Sequence, residues 1–297
     1  MNIFHGVQYG PNPHVHMLDV YSPSDEQQYP VIIIVHGGGW LAGSRSRAMN
    51  QAQILSKEGF VVVACDYSLG GIHLIVRRVL FWITMIGTLY LYIKNAKTIY
   101  FIIFLAICSI TWLCYAFDPP KPKHFEDIEL ALNWTQNNIK SYNGLSNRIM
   151  LLGHSAGGHL ACLLASKRYM DVCGVVSISG VYSLQRLNDI ACGDWLIYSA
   201  FGDVDDLCQQ SPVANVHSHC PPHLLINAKH DVTLQRHTWD MVLTLKAQGV
   251  YVKCKTVPGD HLSVMRNWND PANTLFPVIV SFIRDCVLFN PTNPFCS

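Results

Sequence analysis

Charged residues are scarce in this chain. They make up 14% of its 297 residues, against about 25% in a typical soluble domain, whereas apolar residues make up half. The 21 basic and 20 acidic side chains nearly cancel, so the net charge gives no reason to expect a nucleic-acid partner. So large a deficit of charge predicts a sizeable core together with a segment buried in protein or lipid.

Paired cysteines are also lacking. The 11 cysteines are an odd number and include no Cys-x-x-Cys pair and no zinc-type spacing, so the sequence indicates neither a disulfide framework nor a metal site. We expect reduced thiols in a cytosolic setting. The first 20 residues contain no basic segment followed by an apolar run, and we expect no signal peptide.

Short β-branched runs alternate with helical periodicity along most of the chain. The runs at 31–35 and 60–67 are continuous, which is typical of strands covered on both faces. Other strand-like segments lie at 15–23, 148–153, 174–180, 223–228 and 251–257, and helical patterns at about 46–58, 123–140, 156–168, 234–248 and 273–287. Strands that alternate with helices predict an α/β fold with a mostly parallel sheet and helices on both faces. We assign residues 1–297 to a single domain.

A long apolar segment interrupts this alternation between about Gly70 and Asp118. It contains a run of 15 residues, 79–93, then a short polar stretch and an uncharged run of 20 residues, 98–117. A helix of 20 residues covers roughly 30 Å, the thickness of a bilayer's hydrocarbon core. We predict an inserted apolar helical hairpin, residues 70–118, that spans or re-enters a membrane. The alternative is an apolar lid packed on the protein.

The most specific motif of the chain is LLGHSAGGHLACLLA, residues 151–165. A strand runs into a Gly-x-Ser-x-Gly turn around Ser155 and continues into a helix. This turn lifts a serine hydroxyl clear of the sheet, as a nucleophile requires. A simple glycine-rich turn is the alternative, which the strand–turn–helix context disfavours. His154 and His159 flank the serine, and we assign both to packing.

A glycine-rich loop, VHGGGW at 35–40, follows the strand-like run 31–35. The backbone N–H groups of such a loop can donate to an oxyanion. A nucleotide-binding loop is the alternative, but both the Gly-x-Gly-x-x-Gly spacing and a Walker lysine are lacking. The loop therefore predicts an oxyanion hole.

A nucleophilic serine requires a base and a carboxylate that orients the base. Asp231 and His261 each follow a strand-like segment, and the chain order Ser155, Asp231, His261 is the order of a hydrolase triad on an α/β sheet. His230 and Asp260 are the rivals for base and acid. Because a neighbour in sequence cannot easily bond the same imidazole, we assign Asp260 to capping of its loop.

These motifs resemble the α/β-hydrolase superfamily, in the branch of hormone-sensitive-lipase-like esterases, arylformamidases and isoprenylcysteine methylesterases. The resemblance lies in HGGGW, DYSL, GHSAGGHLA, ISGVYSL, SPV, PPHLLINAKHD and VPGDHLSV, in that order, and covers nearly everything except 70–118 and the termini. The triad that it implies is Ser155, Asp231 and His261, and the implied oxyanion donors are the backbone amides of Gly38, Gly39 and Ala156. It implies no metal and no organic cofactor. Relatives continue with DYR and a short loop with proline where this chain has DYSLGG and the insert, which leaves substrate preference open.

The position and charges of the insert predict how the domain meets a membrane. Strands on both sides of the insert join one sheet, so both flanks lie on the same side of any bilayer. The basic residues beside the domain are Arg77, Arg78, Lys121 and Lys123, and those at the hairpin tip are Lys94 and Lys97. An excess of positive charge marks the cytoplasmic side, which favours a cytosolic catalytic domain. The insert begins at the carboxyl end of a strand, the sheet edge at which α/β folds bind ligands.

The sequence thus predicts a serine hydrolase anchored at a membrane. It cleaves a carboxylic ester, or an amide-like acyl bond, through an acyl-enzyme on Ser155, and its substrate is a small-molecule or lipid-like acyl compound. An arylformamidase that acts on a soluble aromatic amide is one alternative. A catalytically silent membrane-bound binding module is the other.

Overall fold

The centre of the structure is one sheet. The computed structural model describes residues 1–95, 98–116, 123–188, 192–202, 206–231, 233–266, 268, 270 and 274–288. Within these ranges the strands are β1 (Asn2–Gln8), β2 (Met17–Ser22), β3 (Tyr29–Val35), β4 (Val61–Cys65), β5 (Gly144–His154), β6 (Gly174–Ile178), β7 (His223–His230) and β8 (Val252–Asp260). Their order across the sheet is β1-β2-β4-β3-β5-β6-β7-β8. β2 is antiparallel to β1 and β4, and the other neighbouring strands are parallel, which confirms the predicted mostly parallel sheet.

Helices cover both faces of this sheet. They are α1 (Met49–Lys57), α2 (Ile72–Asn95), α3 (Thr98–Ala116), α4 (His124–Asn138), α5 (Ala156–Lys167), α6 (Leu184–Asn188), α7 (Gly193–Phe201), α8 (Leu234–Ala247) and α9 (Leu275–Leu288). Apolar residues of α4, α5 and α8 pack into one core, and those of α1 and α9 pack into a second. The periodic patterns of the sequence predicted these five helices.

The residues of β3 show why the sheet has two cores. Val31, Ile33 and Val35 point into the first core, whereas Ile32 and Ile34 point into the second. All five are buried, because a strand covered on both faces needs an apolar side chain at each position. Burial of one such side chain stabilises a fold by about 1.5–3 kcal/mol. This central strand therefore joins the two layers of helices through the sheet.

The sequence did not predict β1. Its residues are mostly exposed and lack the alternation of apolar and polar positions that marks a half-buried strand. Its antiparallel pairing with β2 and several longer-range contacts hold it on the edge of the sheet. The Gly6 amide donates to the Asp19 carboxylate at 2.9 Å, and the Phe4 ring packs edge-on against Tyr142, with 4.9 Å between ring centroids.

The two apolar runs of the predicted insert form α2 and α3, which pack against each other. Many of their described apolar side chains are exposed, with exposed fractions of 62% for Ile86, 72% for Ile93 and 55% for Ile102. A lid packed on the protein would bury such side chains, so these exposures argue against the lid. The division into one hydrolase domain, residues 1–297, with an insert at 70–118 stays a prediction.

The part of the chain that the structure describes gives no support to the prediction that this segment spans a membrane. No helix there combines the length and the apolar character that a crossing requires. The 24 residues of α2 include Arg77, Arg78 and Lys94, which leaves too short an uninterrupted apolar run. The end of the predicted insert, together with Lys97 and Lys121, lies outside the described residues.

The residues just before α2 and just after α3 are hydrogen-bonded to each other, so the segment between them begins and ends at the same place on the domain. The Lys123 amide donates to Ser68 Oγ at 2.8 Å, across 55 positions of sequence. The two ring nitrogens of His124 lie within hydrogen-bonding distance of the carbonyl oxygens of Ser68 and Ala200. These bonds close the segment at its base, next to α7.

His223, at the start of β7, is an imidazole enclosed by the protein. Its Nδ1 lies 2.7 Å from the Pro221 carbonyl oxygen, which can only accept, so Nδ1 carries the proton. Burial lowers the pKa of His223 to about 4, from about 6.5 for a free imidazole. The unfolded chain therefore takes up this proton below about pH 6.5, whereas the native state takes it up only near pH 4.

We predict that the protein loses stability as the pH falls from about 6.5 to about 4, and that His223→Asn reduces this loss. The side-chain amide of asparagine can still donate to the Pro221 carbonyl but does not titrate. The slope of the free energy of unfolding against pH should fall by up to about 1.4 kcal/mol per pH unit. Urea unfolding at several pH values measures the slope, with His14→Asn, at an exposed histidine, as the control. Equal slopes for wild type and His223→Asn would contradict the prediction.

Candidate active site

Ser155 occupies the turn between β5 and α5. Its φ is +54°, in a region that non-glycine residues rarely adopt, and its amide donates to the Ile178 carbonyl oxygen at 2.9 Å. Two residues further on, a Cβ on Gly157 would lie 2.1 Å from the Val35 carbonyl oxygen. Only glycine allows the helix to begin this close to β3. The turn therefore holds the serine hydroxyl at the carboxyl edge of the sheet.

The structure brings together the three residues of the predicted triad. His261 Nε2 lies 2.9 Å from Ser155 Oγ, and His261 Nδ1 lies 2.8 Å from Asp231 Oδ1. The three residues follow β5, β7 and β8 directly. Because these strands are parallel, their carboxyl ends meet at one edge of the sheet, which places the three side chains in reach of one another.

The hydrogen bonds fix the protonation pattern of His261. Asp231 is 3% exposed, and its carboxylate can only accept, so the bond to it places a proton on Nδ1 of His261. Nε2 is then the acceptor for the Ser155 hydroxyl proton. The side chain of His261 is one-third exposed, so solvent and substrate can reach the ring from the cavity.

The structure also places the two rivals. The Asp260 carboxylate accepts hydrogen bonds from the backbone amides of Ser263 at 2.8 Å and Leu262 at 2.9 Å. These bonds lower the pKa of Asp260 and make its side chain a cap of the loop that carries His261. His230 is exposed and lines a separate groove beside Trp239. Neither residue contacts Ser155 in the described chain.

His154 has a contact that the sequence did not indicate. Its Nε2 donates to the backbone carbonyl oxygen of His261 at 2.8 Å, and the two ring centroids lie 4.9 Å apart. Burial, with a smaller contribution from the charge of His261, lowers the pKa of His154 to about 4, so the ring is neutral near pH 7. His154 therefore anchors the loop of His261, whereas His159 packs edge-on against Trp40 as predicted.

Gly38 and Gly39 line the cavity in front of Ser155. In the described chain neither amide donates to a protein acceptor, so both are available to a ligand. Gly38 has a φ of +137°, and a Cβ there would lie 1.7 Å from the Ala42 carbonyl oxygen, so this loop conformation requires glycine. Ala156 is the first residue of α5, where a backbone N–H has no partner inside the helix.

Tyr67 supports this glycine loop from behind. Its hydroxyl donates to the His36 carbonyl oxygen at 2.9 Å, and its ring stacks on the His36 ring with 4.3 Å between centroids. Tyr67 belongs to the DYSL motif, for which we predicted no role beyond the resemblance. It holds the loop that carries Gly38 and Gly39 at a fixed height above the sheet.

A cavity of about 450 Å³ opens at these residues. The described residues that line it are Ile34, Val35, His36, Gly37, Gly38, Gly39, Arg47, Ala48, His154, Ser155, His261, Leu262 and Met265. Aliphatic side chains form much of the wall, which also contains Ser155 and the imidazoles of His36, His154 and His261. Across the described ranges, no group of histidine, cysteine or acidic side chains is arranged to hold a metal ion.

Several proteins of known structure share this architecture. Esterase B from Lactobacillus rhamnosis, in an inhibited form, superposes with a TM-score of 0.70 at 18% identity, over 96% of this chain and 87% of that one. An esterase from the archaeon Pyrobaculum calidifontis superposes with a TM-score of 0.64 at 21% identity, over 91% of this chain and 80% of that one. At these identities the likeness shows that the chain shares the fold of these two proteins.

Sequence comparison gives relatives that are also named as esterases. Esterase LipQ of Mycobacterium tuberculosis is 23% identical over 248 residues, which are 76% of this chain and 48% of that protein. The chain thus spans about half the length of this relative, and 28% of Esterase LipC from the same organism. The predicted carboxylic-ester hydrolase agrees with these names. The family model described as BD-FAE matches residues 18–74 and 105–239, more than half of the chain, which therefore belongs to the BD-FAE family within the predicted α/β-hydrolase superfamily.

Proposed function

We propose that this chain is a carboxylic-ester hydrolase that forms an acyl-enzyme on Ser155. The observation that carries the proposal is the hydrogen-bonded series from Ser155 Oγ to His261 at 2.9 Å and on to Asp231 at 2.8 Å, open to a cavity. The esterase names of the sequence relatives support the same reaction class. Geometry alone is shared by ester and amide hydrolases, so the relatives favour the ester.

In the first half of the reaction, Ser155 Oγ attacks the ester carbonyl carbon while His261 Nε2 takes the hydroxyl proton. The carbonyl oxygen becomes an oxyanion, which the amides of Gly38, Gly39 and Ala156 stabilise. Loss of one such donor typically costs about 2.7–4 kcal/mol of transition-state stabilisation. Collapse of the tetrahedral intermediate breaks the bond to the alcohol, and His261 returns its proton to the departing oxygen.

In the second half, a water molecule replaces the alcohol. His261 Nε2 takes a proton from that water, the hydroxide attacks the acyl carbon, and Ser155 leaves with the proton from His261. Asp231 keeps its charge throughout. It holds the imidazole in the tautomer with a proton on Nδ1 and stabilises the imidazolium that forms in each half.

The two alternative functions of the sequence remain as outcomes of an activity test. An arylformamidase would cleave an aryl formamide and leave simple esters intact. A silent binding module would hydrolyse neither and would not react with a fluorophosphonate, which labels an activated serine. A panel of p-nitrophenyl esters of graded acyl length, an aryl formamide and a fluorophosphonate probe distinguishes the three.

We predict that the wild-type chain hydrolyses p-nitrophenyl esters and reacts with the fluorophosphonate, and that Ser155→Ala lowers kcat by about 10⁶. The turn loses one oxygen atom, so the melting temperature should barely change. Ser141→Ala, at an exposed serine after α4, is the matched control and should retain full activity. Purified Ser155→Ala protein with more than a few per cent of wild-type activity would exclude Ser155 as the nucleophile.

A second pair of variants distinguishes the acids. Asp231→Asn should lower kcat by roughly 10⁴, because the amide favours the wrong tautomer of His261. Asp260→Asn should be far milder, since Asp260 bonds two backbone amides and not the ring. Steady-state kinetics of both variants with one ester measures the ranking, and the reverse ranking would transfer the role to Asp260.

We further propose that α2 and α3 lie in the surface layer of a lipid membrane without crossing it. At 3.6 residues per turn, Ile86 and Leu91 lie about 140° apart on α2, and Ile99 and Phe101 lie about 160° apart on α3. All four are at least 40% exposed. A protein partner with a single face would cover one side of each helix, whereas lipid surrounds both sides.

This contact would place lipid beside the cavity. The Gly71 amide, just before α2, donates to the Ser199 carbonyl oxygen of α7 at 3.0 Å. Leu196 of the same helix lies next to Gly39 in the glycine loop. The base of α2 and α3 is thus one helix away from the cavity, and the family match leaves out residues 75–104.

We predict that the full chain floats with phosphatidylcholine vesicles in a density gradient and that the double variant Ile86→Asp, Ile93→Asp does not. Two carboxylates on the most exposed apolar positions of α2 would have to enter the lipid, which is costly. The double variant Met170→Asp, Leu243→Asp is the control, because these exposed residues lie outside the two helices. Wild type that stays at the bottom of the gradient would contradict the proposal, as would self-association that the α2 variant abolishes in the absence of vesicles.

A further inference from the structure

Two arginines two positions apart have different surroundings. Arg45 and Arg47 both lie in the short 3₁₀ turn Arg45–Ala48 that follows the glycine loop. Arg45 Nε donates to Asp19 at 2.8 Å, and its guanidinium and backbone amide also bond Asp66. Arg45 is therefore neutralised twice, and it holds the turn against β2 and the end of β4.

In the described chain Arg47 has no acidic partner. Its side chain makes one long hydrogen bond there, 3.5 Å from Nη1 to the Gly37 carbonyl oxygen. The side chain is exposed and lines the same cavity as Ser155. An arginine that serves only solubility would point to bulk solvent, whereas this guanidinium faces the space that a substrate occupies.

The other polar side chains of the cavity leave this charge uncompensated. Burial lowers the pKa of His36 below its usual range and that of His154 to about 4, so both rings are neutral near pH 7. Among the described lining residues there is no carboxylate. Arg47 is thus the one permanently charged side chain in the described wall of the cavity.

We propose that Arg47 binds a carboxylate group of the substrate while Ser155 attacks the ester bond of the same molecule. This inference rests on the proposed function and adds the substrate class, an ester that also carries a free carboxylate. A guanidinium presents two parallel N–H donors that match the two oxygens of a carboxylate. A single unpaired arginine balances one negative charge, which fits a carboxylate better than a doubly charged phosphate.

The cavity has room for such a molecule. Its volume of about 450 Å³ corresponds to roughly 15 water molecules, at about 30 Å³ each in the liquid. A small ester therefore fits between Arg47 and Ser155. Leu262 and Met265, which also line the cavity, offer apolar contact to the carbon chain that joins the two functional groups.

Two matched pairs of substrates test the inference and show which half of the ester carries the charge. Mono-p-nitrophenyl adipate against p-nitrophenyl hexanoate places the carboxylate on the acyl half. 4-Carboxyphenyl butyrate against 4-carbamoylphenyl butyrate places it on the alcohol half. For wild type, the ratio of kcat/KM for the charged ester over its neutral match should exceed one in at least one pair.

Arg47→Gln should lower that ratio by about tenfold to a hundredfold, because a hydrogen bond to a charged group is lost. The loss should lie in KM, since the carboxylate is bound equally in the ground state and the transition state. Arg47→Lys should restore part of the ratio, and added salt should lower the wild-type ratio. Lys57→Gln, which removes an exposed positive charge at the end of α1, is the control and should leave the ratio unchanged.

The outcomes separate this inference from the proposed function. Hydrolysis of neutral esters with a ratio that Arg47→Gln does not change would overturn the carboxylate site and leave the esterase intact. Binding can also be measured without turnover, by calorimetric titration of Ser155→Ala with the charged ester of the preferred pair. Equal affinity of Ser155→Ala with and without Arg47→Gln would overturn the site, whereas failure of wild type to hydrolyse any ester would overturn the proposed function itself.

Discussion

The close approach of Gly157 to the Val35 carbonyl oxygen is the contact on which the site depends. β3 and β5 are neighbours in the sheet, and the loops that follow them carry the glycine amides and Ser155 respectively. The missing side chain at Gly157 lets the helix after the serine begin directly against the end of β3. A methyl group there would need more than 1 Å of additional separation to reach ordinary contact distance. The distance between Ser155 and the amides of the glycine loop is thus set by contact of backbone with backbone, which is far stiffer than contact between side chains.

A consistent electrostatic pattern surrounds this contact. Burial lowers the pKa of His36, His154 and His159 in and behind the cavity wall, so these imidazoles are neutral near pH 7. They form hydrogen bonds but contribute no charge. The enclosed carboxylate of Asp231 faces only His261, and the surface carboxylate of Asp260 is taken up by its own loop. The guanidinium of Arg47 therefore has no carboxylate partner within the described wall. An anion that forms in the cavity meets amide dipoles and a guanidinium before it meets any carboxylate of the described wall.

The parts of the fold and of the candidate site that could be predicted from the sequence are those that depend on residues close together in the chain. β3 and β4 are continuous β-branched runs, and the turn around Ser155 is a local motif, so both were predictable. Asp231 and His261 were predictable because chain order and the carboxyl ends of parallel strands locate them. β1 was missed because its position depends on contacts of Gly6 with Asp19 and of Phe4 with Tyr142, which leave no periodic pattern.

Contacts between distant residues explain the other misses. The bond from His154 to the His261 backbone joins residues 107 positions apart, and nothing in the sequence next to His154 distinguishes it from a packing residue. The pairing of Arg45 with Asp19 and Asp66, and with it the isolation of Arg47, likewise follows from the fold alone. The apolar composition of residues 79–117 indicated two helices correctly, whereas the predicted membrane crossing has no support among the described helices.

The bond between Lys123 and Ser68 has a consequence for the evolution of the fold. It joins the two ends of a loop across 55 positions of sequence. The loop is therefore attached to the sheet at the same two points, whatever its length. The free-energy cost of closing a flexible loop grows only with the logarithm of the loop length, by about 0.6 kcal/mol for each doubling. A relative with a short turn and a chain with two long helices can therefore share one catalytic core at nearly equal thermodynamic cost. Insertions at such a position are easily accepted in evolution, because a longer loop there changes the stability of the fold only slightly.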